Sequence, residues 1–176
     1  MKTEFKAFSS IPRLVKEMVI TEKIDGTNAC IVIDSDWNVQ AQSRSRIITP
    51  DDDNMWFAYW VEKNQEELKS LWEWYHYWEW WGGKIQRGYW LKEKRFSLFF
   101  YRWEGTIPSI VSVVPTLYTW DFCTQKIEEV MEDLRQHWSY ATDFMNPEGI
   151  VIYHTAWKCV FKKTFDNDGG KFTAKP

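Results

Sequence analysis

Alternating apolar and polar residues predict several short β-strands along the chain. The segments EMVITEK (17–23) and ACIVID (29–34) are rich in β-branched residues, and a break centred on Gly26 separates them. Alternation resumes at 39–43 after a predicted hairpin turn at Asp36-Trp37. Further strands are predicted at 96–103, 110–117, 149–154 and 159–165. Region 72–90 shows no clear period, and no element is predicted there.

Two segments have the spacing of amphipathic helices. Apolar residues recur at helical spacing between 54 and 71, after residues 50–54, which supply helix-start acids and caps. A second helix is predicted with Thr124 as its capping residue. The expected core positions of the two helices are Phe57, Trp60, Val61, Leu68 and Leu71, and then Ile127, Val130, Met131 and Leu134. Strands with two helices packed outside them indicate an α+β fold, in one domain spanning residues 1–176.

The composition is that of a globular protein. The 176 residues are 44% hydrophobic and 27% charged, which is enough to bury a core. No apolar run is long enough to span a membrane, and the N-terminal segment lacks the apolar region of a secretory signal. We therefore expect a cytoplasmic protein without a membrane partner. The net charge of −3 means that contact with a nucleic acid would depend on a local basic patch.

The three cysteines, Cys30, Cys123 and Cys159, are widely spaced and form no CxxC pair. This pattern argues against a disulfide framework and against a zinc site. We expect small buried thiols.

Common nucleotide-binding and hydrolase motifs are absent, but the segment TEKIDGTN (21–28) is chemically suggestive. Lys23 ends a predicted strand, Asp25 follows it, and Gly26 permits a tight turn beside the lysine. A lysine becomes a nucleophile once its ammonium group has lost a proton. A lysine exposed at a strand end would give the same short motif, so the segment does not establish a catalytic site by itself.

Four later segments carry residues suited to phosphate chemistry. SRSR (43–46) offers guanidinium groups for phosphate oxygens, and WEWWG (78–82) places Glu79 among aromatic residues. PEGIVI (147–152) places Glu148 before an apolar strand, where it would help to hold a divalent cation. In VFKKT (160–164), strand alternation puts Lys162 on one face and Lys163 on the other. Taken singly, each segment is also explained as an exposed basic loop, a surface acid or a strand-edge lysine.

In this order, the segments resemble the motifs of the covalent nucleotidyltransferase superfamily of ATP-dependent ligases and mRNA capping enzymes, and especially those of its RNA ligase branch. EKIDGTN resembles motif I, SRSR motif Ia, EWWGGKIQ motif III, FSLFF motif IIIa, EGIVI motif IV and VFKK motif V. Together they span Glu22 to Lys163, which is most of the chain. The resemblance implies an adenylation domain of antiparallel sheets with flanking helices. It also implies an ATP-dependent RNA ligase that forms a lysyl-AMP intermediate and transfers AMP to a 5′-phosphate RNA end.

The same resemblance implies roles for individual residues. Lys23 would be the nucleophile, Glu148 would support the catalytic Mg²⁺ (or Mn²⁺), and Lys162 would neutralise the α-phosphate. Arg46 would contact RNA. The implied ATP-binding residues are Glu22 at the adenine, Asp25, Gly26, Asn28 near the reacting phosphate, Arg44, Glu79 at the ribose, Phe99 stacked on the adenine, Lys162 and Lys163.

The chain departs from the family pattern in three places. Trp78 stands where the family has glycine before the acid, and Lys162 and Lys163 are adjacent instead of two apart. The sequence also ends soon after motif V, so we expect no C-terminal domain. A separate partner would then recognise the RNA end, and self-adenylylation is better supported than stand-alone joining.

Other functions are compatible with these residues. A DNA ligase or a GTP-dependent capping enzyme belongs to the same superfamily, although the EKIDGTN form with Asn28 favours RNA ligases. A non-catalytic RNA- or nucleotide-binding module is also compatible, because the aromatic stretch Trp72–Trp90, with Lys84 and Arg87, would be able to stack single-stranded bases. A hydrophobic cluster under a loop would explain that stretch equally well.

Tryptophan is unusually abundant, with 13 residues against 8 glycines. Several tryptophans occupy loop-like places that favour glycine: Trp37, Trp74, Trp78, Trp90, Trp120, Trp138 and Trp157. One hypothesis is that the source reads a UGA codon as glycine where this sequence has tryptophan. The alternative is that the tryptophans are genuine, the turns are strained and Trp78 blocks the nucleotide. We expect Trp60, Trp80, Trp81 and Trp103 to be genuine tryptophans and leave Trp56 and Trp72 undecided.

Overall fold

Ten strands and three helices are present in the part of the chain that the computed structural model describes, which is residues 4–99 and 107–166. A short 3₁₀ helix at Gly88–Trp90 follows the fifth strand. The strands are β1 (Glu17–Lys23), β2 (Thr27–Ile33), β3 (Val39–Ser43), β4 (Ile47–Ile48), β5 (Trp74–Gly82), β6 (Lys94–Leu98), β7 (Val111–Val113), β8 (Thr116–Asp121), β9 (Gly149–His154) and β10 (Cys159–Thr164). The helices are α1 (Phe57–Lys63), α2 (Gln65–Leu68) and α3 (Thr124–His137).

The strands form two sheets, so the predicted α+β class is confirmed. One sheet has the order β10-β9-β1-β8 and is antiparallel throughout. The other has the order β4-β3-β2-β5-β6-β7 and is antiparallel except for the parallel pair β6 and β7. Because β1 and β2 lie in different sheets, the short segment between Lys23 and Thr27 connects the two sheets. The end of β1 is therefore a junction between them.

Each sheet packs one face against helices. In the six-stranded sheet, Ala29, Ile31 and Ile33 alternate onto the face that is covered by α1 and α2. Of the core positions predicted for the first helix, all are buried except Trp60, which is half-buried. In the four-stranded sheet, Met18 and Ile20 pack against α3 through Met131 and Leu134, while Ile127 and Val130 contact this core at its edge. The opposite faces of both sheets are left for other contacts.

The predicted helix over 54–71 is two short helices, because the backbone leaves the helical region at Asn64 (φ −116°). The Asn64 side chain donates a hydrogen bond to the Trp60 carbonyl (2.7 Å), which competes with regular helix bonding. The first helix begins only at Phe57, where the Asp53 carboxylate accepts hydrogen bonds from backbone N–H groups of the first turn. The prediction of Thr124 as a cap was wrong, since Cys123 holds that position and makes no side-chain cap.

The strands at 17–23, 39–43 and 149–154 have the predicted bounds, whereas two other predictions need correction. The predicted strand 110–117 is split into β7 and β8, which belong to different sheets. Pro115, which has no backbone N–H, lies at the break. The predicted strand 96–103 contains β6 up to Leu98, and residues 100–103, including Trp103, lie outside the described residues.

The unassigned stretch 72–90 contains β5, the longest strand among the described residues. Residues 75–78 alternate between exposed and more buried side chains, but Glu79, Trp80 and Trp81 are buried in succession. Because both faces are covered at the inner end, the period of two that marks a half-exposed strand is lost.

The tryptophans differ in backbone conformation and in burial. Trp37, Trp90 and Trp138 have positive φ angles of 62°, 57° and 68°, as does Trp56 (66°). Such angles are genuine outliers for a bulky residue and ordinary for glycine. The loop assignment was wrong for Trp74, Trp78 and Trp120, which lie in strands; Trp157 lies in a turn. Trp80 and Trp81 are buried and donate their indole N–H groups to Met55 O and Ser97 Oγ.

The cysteines match only part of the prediction. All three are free thiols, as expected, but only Cys30 is buried, and Cys159 is exposed. The described residues contain no group of three or more His, Cys, Asp or Glu side chains placed to hold a metal ion. None of the helices in the described part of the chain has the length and apolar character needed to cross a membrane.

Candidate active site

Lys23 lies at the end of β1, on the face of the four-stranded sheet that is not packed against α3. Its Nζ is 2.6 Å from Glu148 Oε2, and both side chains are about one-fifth exposed (21% and 19%). Glu148 immediately precedes β9, whose first residue, Gly149, pairs with Lys23 in the sheet. The strand register thus places an acid 125 residues away directly beside the lysine.

Two glycines make this arrangement possible by allowing close backbone approach. A Cβ atom on Gly26 would lie 2.5 Å from the Trp80 carbonyl oxygen, so only glycine lets the β1–β2 connection pack against β5. A Cβ atom on Gly149 would lie 2.2 Å from the Lys163 carbonyl oxygen, at a φ of 150°. Both glycines belong to segments that the sequence singled out. Gly26 brings the two sheets together next to Lys23, and Gly149 allows close pairing of β9 with β10 inside the four-stranded sheet.

Glu79 lies on the face of the six-stranded sheet that is not covered by α1 and α2. Its neighbours across the strands are Asn28 on β2 and Ser97 on β6. Its side chain is 8% exposed. Burial raises the pKa of Glu79 to about 7, while the positive charge of Lys23 and a hydrogen bond from the Gly26 backbone act in the opposite direction. This carboxyl group therefore changes its charge near neutral pH, next to the lysine.

A cavity of about 780 Å³ opens from this junction. Its lining includes Lys23, Asn28, Arg44 and Phe99. A smaller apolar slot of about 220 Å³ adjoins it on the four-stranded sheet, and Phe99 lines both spaces. The other residues of the slot are Val19, Thr21, Val151, Tyr153 and Val160. An aromatic ring thus stands between an apolar slot and a cavity that contains cationic side chains.

The adjacent lysines of β10 lie on opposite faces. Lys162 pairs with Val151, a residue of the slot, and therefore shares the face of Lys23. Lys163 pairs with Ile150 in the core beneath α3, and its Nζ lies 3.2 Å from Glu128 Oε1 on that helix. The structure brings Lys162 to the cavity side and places Lys163 away from it.

The two arginines of SRSR also differ. Arg44 lines the cavity, and no acid pairs with it among the described residues. Arg46 instead pairs with the Asp52 carboxylate and donates to the Asp52 carbonyl. Asp25 is bound by an arginine outside this segment: its Oδ2 accepts a hydrogen bond from Arg87 Nε at 3.0 Å. Asp25 and Arg46 are therefore engaged in ion pairs, while Arg44 is available to a ligand.

Arg87 and Tyr89 complete the framework of the site, and the sequence did not indicate this role. Arg87 joins Asp25 to the Asn146 carbonyl (3.0 Å), two residues before Glu148, and to Asp166 (3.1 Å). The Tyr89 hydroxyl accepts the backbone N–H of Asp25 at 2.9 Å. These contacts join the segment after Lys23 to the segment before Glu148. No local motif signals them, because the partners are about 60 residues apart.

Glu22 lies on the face opposite Lys23 and is fully buried. Its Oε2 accepts the backbone N–H groups of Tyr140 (2.8 Å) and Ala141 (3.1 Å), while Oε1 has no partner among the described residues. Burial raises the pKa of Glu22, and hydrogen bonds from Ser139, Ala141 and Tyr140 oppose the rise. Glu22 is not part of the cavity lining described above, and its contact with adenine stays a prediction.

Trp78 packs against the core of the six-stranded sheet. It pairs with Ala29 and Leu98, both members of that core, whereas Glu79 next to it faces the other way. Its ring centroid is 6.2 Å from that of Phe99, and its indole N–H has no partner among the described residues. Trp78 thus touches the rim of the cavity but belongs mainly to the packed face.

The donor set of the site fits a nucleoside triphosphate. The apolar slot with Phe99 is suited to a flat base, and the cations Lys23, Arg44 and Lys162 are suited to phosphate oxygens. For a divalent cation, Glu148 offers a carboxylate, and the remaining ligands would be phosphate oxygens and water, as is usual for Mg²⁺. This combination of a lysine, an acid beside it and surrounding cations suits group transfer at phosphorus.

Comparison with known proteins identifies the family. A search of the curated proteins gives no significant match. The family model for RNA ligases matches residues 16–165, which cover far more than half of the chain and include Lys23, Glu148 and the lining of the cavity. The chain therefore belongs to the RNA ligase family.

Proposed function

We propose that the protein is an ATP-dependent RNA ligase that acts through a covalent lysyl-AMP intermediate on Lys23. The observation that carries the proposal is the position of Lys23, which lies 2.6 Å from Glu148 and lines the cavity that shares Phe99 with the apolar slot. A base in the slot would direct the phosphates of the same nucleotide toward this lysine. Family membership supports the same reaction class.

In the first step, Lys23 Nζ attacks the α-phosphorus of ATP. An N–P bond forms, the bond between the α-phosphorus and the bridging oxygen breaks, and pyrophosphate leaves. The ammonium group must lose protons for this attack, and Glu148 Oε2 is a carboxylate acceptor within hydrogen-bonding distance. The products are lysyl-AMP and pyrophosphate.

Two further steps complete the joining of RNA ends. An oxygen of the RNA 5′-phosphate attacks the phosphorus of lysyl-AMP, the N–P bond breaks, and Lys23 regains its proton. The 3′-hydroxyl of the second RNA end then attacks the activated 5′-phosphate, and AMP leaves. Each step moves a phosphoryl group between nucleophiles, so positioning and charge neutralisation are the main tasks of the protein.

The surrounding side chains supply that positioning. Phe99 lines both the slot and the cavity, where it would stack on the base, and Glu79 would accept hydrogen bonds from the ribose hydroxyls. Arg44 and Lys162 would hold phosphate oxygens from two sides. Asn28, opposite Glu79, would contact the reacting phosphate. A divalent cation at Glu148 would supply further neutralisation of phosphate charge.

The test is self-labelling with ATP that carries ³²P at the α-phosphate, in the presence of Mg²⁺. The unaltered protein is expected to become covalently labelled and to release the label in acid, because phosphoramidates are acid-labile. Lys23→Ala and Lys23→Arg are both expected to abolish the label, since neither side chain supplies the amine nucleophile. Lys126→Ala, at an exposed lysine of α3 on the opposite side of the four-stranded sheet, is the matched control and should label normally.

Three outcomes would redirect the proposal. Label on Lys23→Ala would show that another residue is the nucleophile. Label from GTP in preference to ATP would indicate a capping-type enzyme. An unlabelled but folded protein that binds RNA in a salt-dependent way would indicate a non-catalytic binding module.

A further inference from the structure

A shallow trough extends from the candidate active site along β2, on the face of the six-stranded sheet that carries Glu79. Strand register builds it from two successive rows of side chains, one beyond the other. Directly opposite residues of neighbouring strands share a face, so each row has one side chain from each of three strands. The inner row is Gln42, Cys30 and Tyr77, and the outer row is Gln40, Val32 and Tyr75.

The floor of the trough is small and uncharged. Cys30 and Val32 are shorter than the side chains on either side of them, and Cys30 is buried. Burial raises the pKa of the Cys30 thiol to about 12, so the thiol stays neutral. The floor therefore offers an apolar surface without a charge that would repel phosphate.

One wall of the trough is aromatic. The rings of Tyr75 and Tyr77 are nearly parallel, with 15° between their planes and 6.1 Å between their centroids. Both are exposed, by 49% and 64%, although most large aromatic side chains bury their faces. Two exposed, parallel rings provide the kind of surface on which nucleic acid bases stack.

The other wall is polar and the inner end is cationic. The amides of Gln40 and Gln42 lie side by side, 3.4 Å apart, and present donors and acceptors suited to base edges. Arg44 follows directly after β3 at the inner end, where it lines the cavity together with Lys23. Cys30, Tyr75 and Tyr77 line the same cavity, so the trough is its outer part, and the cations are concentrated at its inner end.

The dimensions favour a single strand. The two walls are two strand spacings apart, which is about 10 Å. That width accommodates unpaired nucleotides, whereas a double helix, with its two backbones, would not reach the floor. We propose that the trough binds unpaired RNA nucleotides adjacent to the end being joined, with their bases stacked on Tyr75 and Tyr77. This inference rests on the proposed ligase function, because it names the form of RNA that the site accepts.

The experiment measures binding without ATP, so that it does not depend on catalysis. The probe is a 5′-phosphorylated single-stranded RNA of 12 nucleotides with a fluorophore at its 3′ end, and fluorescence anisotropy gives its affinity. Tyr75→Ala and Tyr77→Ala are each expected to weaken binding about tenfold, near the lower end of the range for one base–aromatic stack. Tyr75→Phe and Tyr77→Phe keep the rings and should keep the affinity.

Two controls separate stacking from other causes. Trp120→Ala removes an exposed ring (75% exposed) on β8, which contributes nothing to the trough, and is expected to bind RNA like the unaltered protein. The salt dependence of binding should be the same for the tyrosine variants as for the unaltered protein, because stacking releases no counterions. Thermal unfolding of each variant shows that it has folded.

Unchanged affinity in the folded double variant Tyr75→Ala/Tyr77→Ala would overturn the proposal. So would a 12-base-pair RNA duplex that binds as tightly as the single strand and loses as much affinity in the double variant. Failure of the proposed ligase function gives a different result, namely an unaltered protein that binds the single strand through the tyrosines and acquires no label from ATP.

Discussion

The two faces of each sheet differ in their contacts: one packs against helices, and the other carries the cavity or the apolar slot. On the four-stranded sheet, Lys23 and Lys162 share the face that carries the apolar slot, while Glu22 and Lys163, their neighbours in sequence, lie on the face covered by α3. The six-stranded sheet repeats the division, with Glu79 on the cavity face. Because successive side chains of a strand point to opposite faces, a residue of the candidate site and its neighbour in the packed core are adjacent in sequence. Adjacent residues of the same type become controls for one another.

The largest expected difference is between the two lysines of β10. Lys162→Ala should slow self-labelling by about 10² to 10³, because a positive charge that stabilises a developing phosphate charge is removed. Lys163→Ala removes a partly exposed ion pair with Glu128 and should change stability by less than about 1 kcal/mol, with labelling retained. Single-turnover labelling and urea unfolding of both variants measure these effects. Equal losses of labelling would contradict the assignment of the two faces.

Glu79→Gln should affect stability and activity in opposite directions. The pKa of Glu79 is raised from 4.5 to about 7, so between these values the folded protein holds a proton that the unfolded chain has released. The carboxyl group therefore costs stability as the pH rises from 4.5 through 7, by up to about 3 kcal/mol above pH 7. Glu79→Gln is expected to be more stable at pH 8, to match the unaltered protein near pH 4.5, and to label more slowly.

Urea unfolding at pH 5, 6, 7 and 8 tests this expectation, with Glu128→Gln as a control at an exposed acid. The difference between variant and unaltered protein isolates Glu79, because Glu22 and His76, whose pKa values are also shifted, are present in both. A difference that did not vary with pH would show that Glu79 ionises like an exposed acid.

Trp138→Gly probes the packed side of the four-stranded sheet. Trp138 ends α3 at φ 68° and ψ −167°, a conformation nearly confined to glycine. Relief of this strain should stabilise the protein by about 1 to 3 kcal/mol. Trp120→Gly, in regular β8 backbone, should instead be neutral or destabilising. Thermal unfolding distinguishes the two, and a less stable Trp138→Gly would argue that tryptophan is the residue this turn requires.

The smallest expected effect concerns the two arginines of SRSR. Arg44→Ala should raise the ATP concentration for half-maximal labelling about tenfold, since one charge-assisted phosphate contact is lost. Arg46→Ala breaks an exposed pair with Asp52 and should leave that concentration unchanged. ATP titrations of labelling measure both. A larger effect at Arg46 would place the phosphate contact on the other arginine.

The sequence predicted those parts of the molecule whose signal is local. The strands at 17–23, 39–43 and 149–154 have the predicted bounds because β-branched residues alternate there and turns flank them. It missed β5, whose inner residues are buried on both faces, and the interruption at Asn64, where one side-chain hydrogen bond competes with the helix. Both errors arise because neighbours distant in sequence decide burial and hydrogen bonding.

The same distinction applies to the site. Motif order alone led to Lys23, Glu148 and Phe99, and the positive φ angles at Trp37 and Trp138 occur where glycine was expected. The sequence did not indicate that Arg87 and Tyr89 hold the connection between Lys23 and Thr27 in place. Their contacts with Asp25 join segments about 60 residues apart, and no local pattern signals such contacts.

The sequence by itself determined the α+β class, the order of the motifs and the identity of the lysine at their head, since these depend on residue type and local periodicity. The tertiary structure alone decided which lysine of β10 shares the face of Lys23, which arginine of SRSR has no acidic partner in the described part of the chain, and that a tyrosine-walled trough leads to Lys23. These features depend on strand register between residues far apart in the chain. A shift of one position would move every side chain to the opposite face.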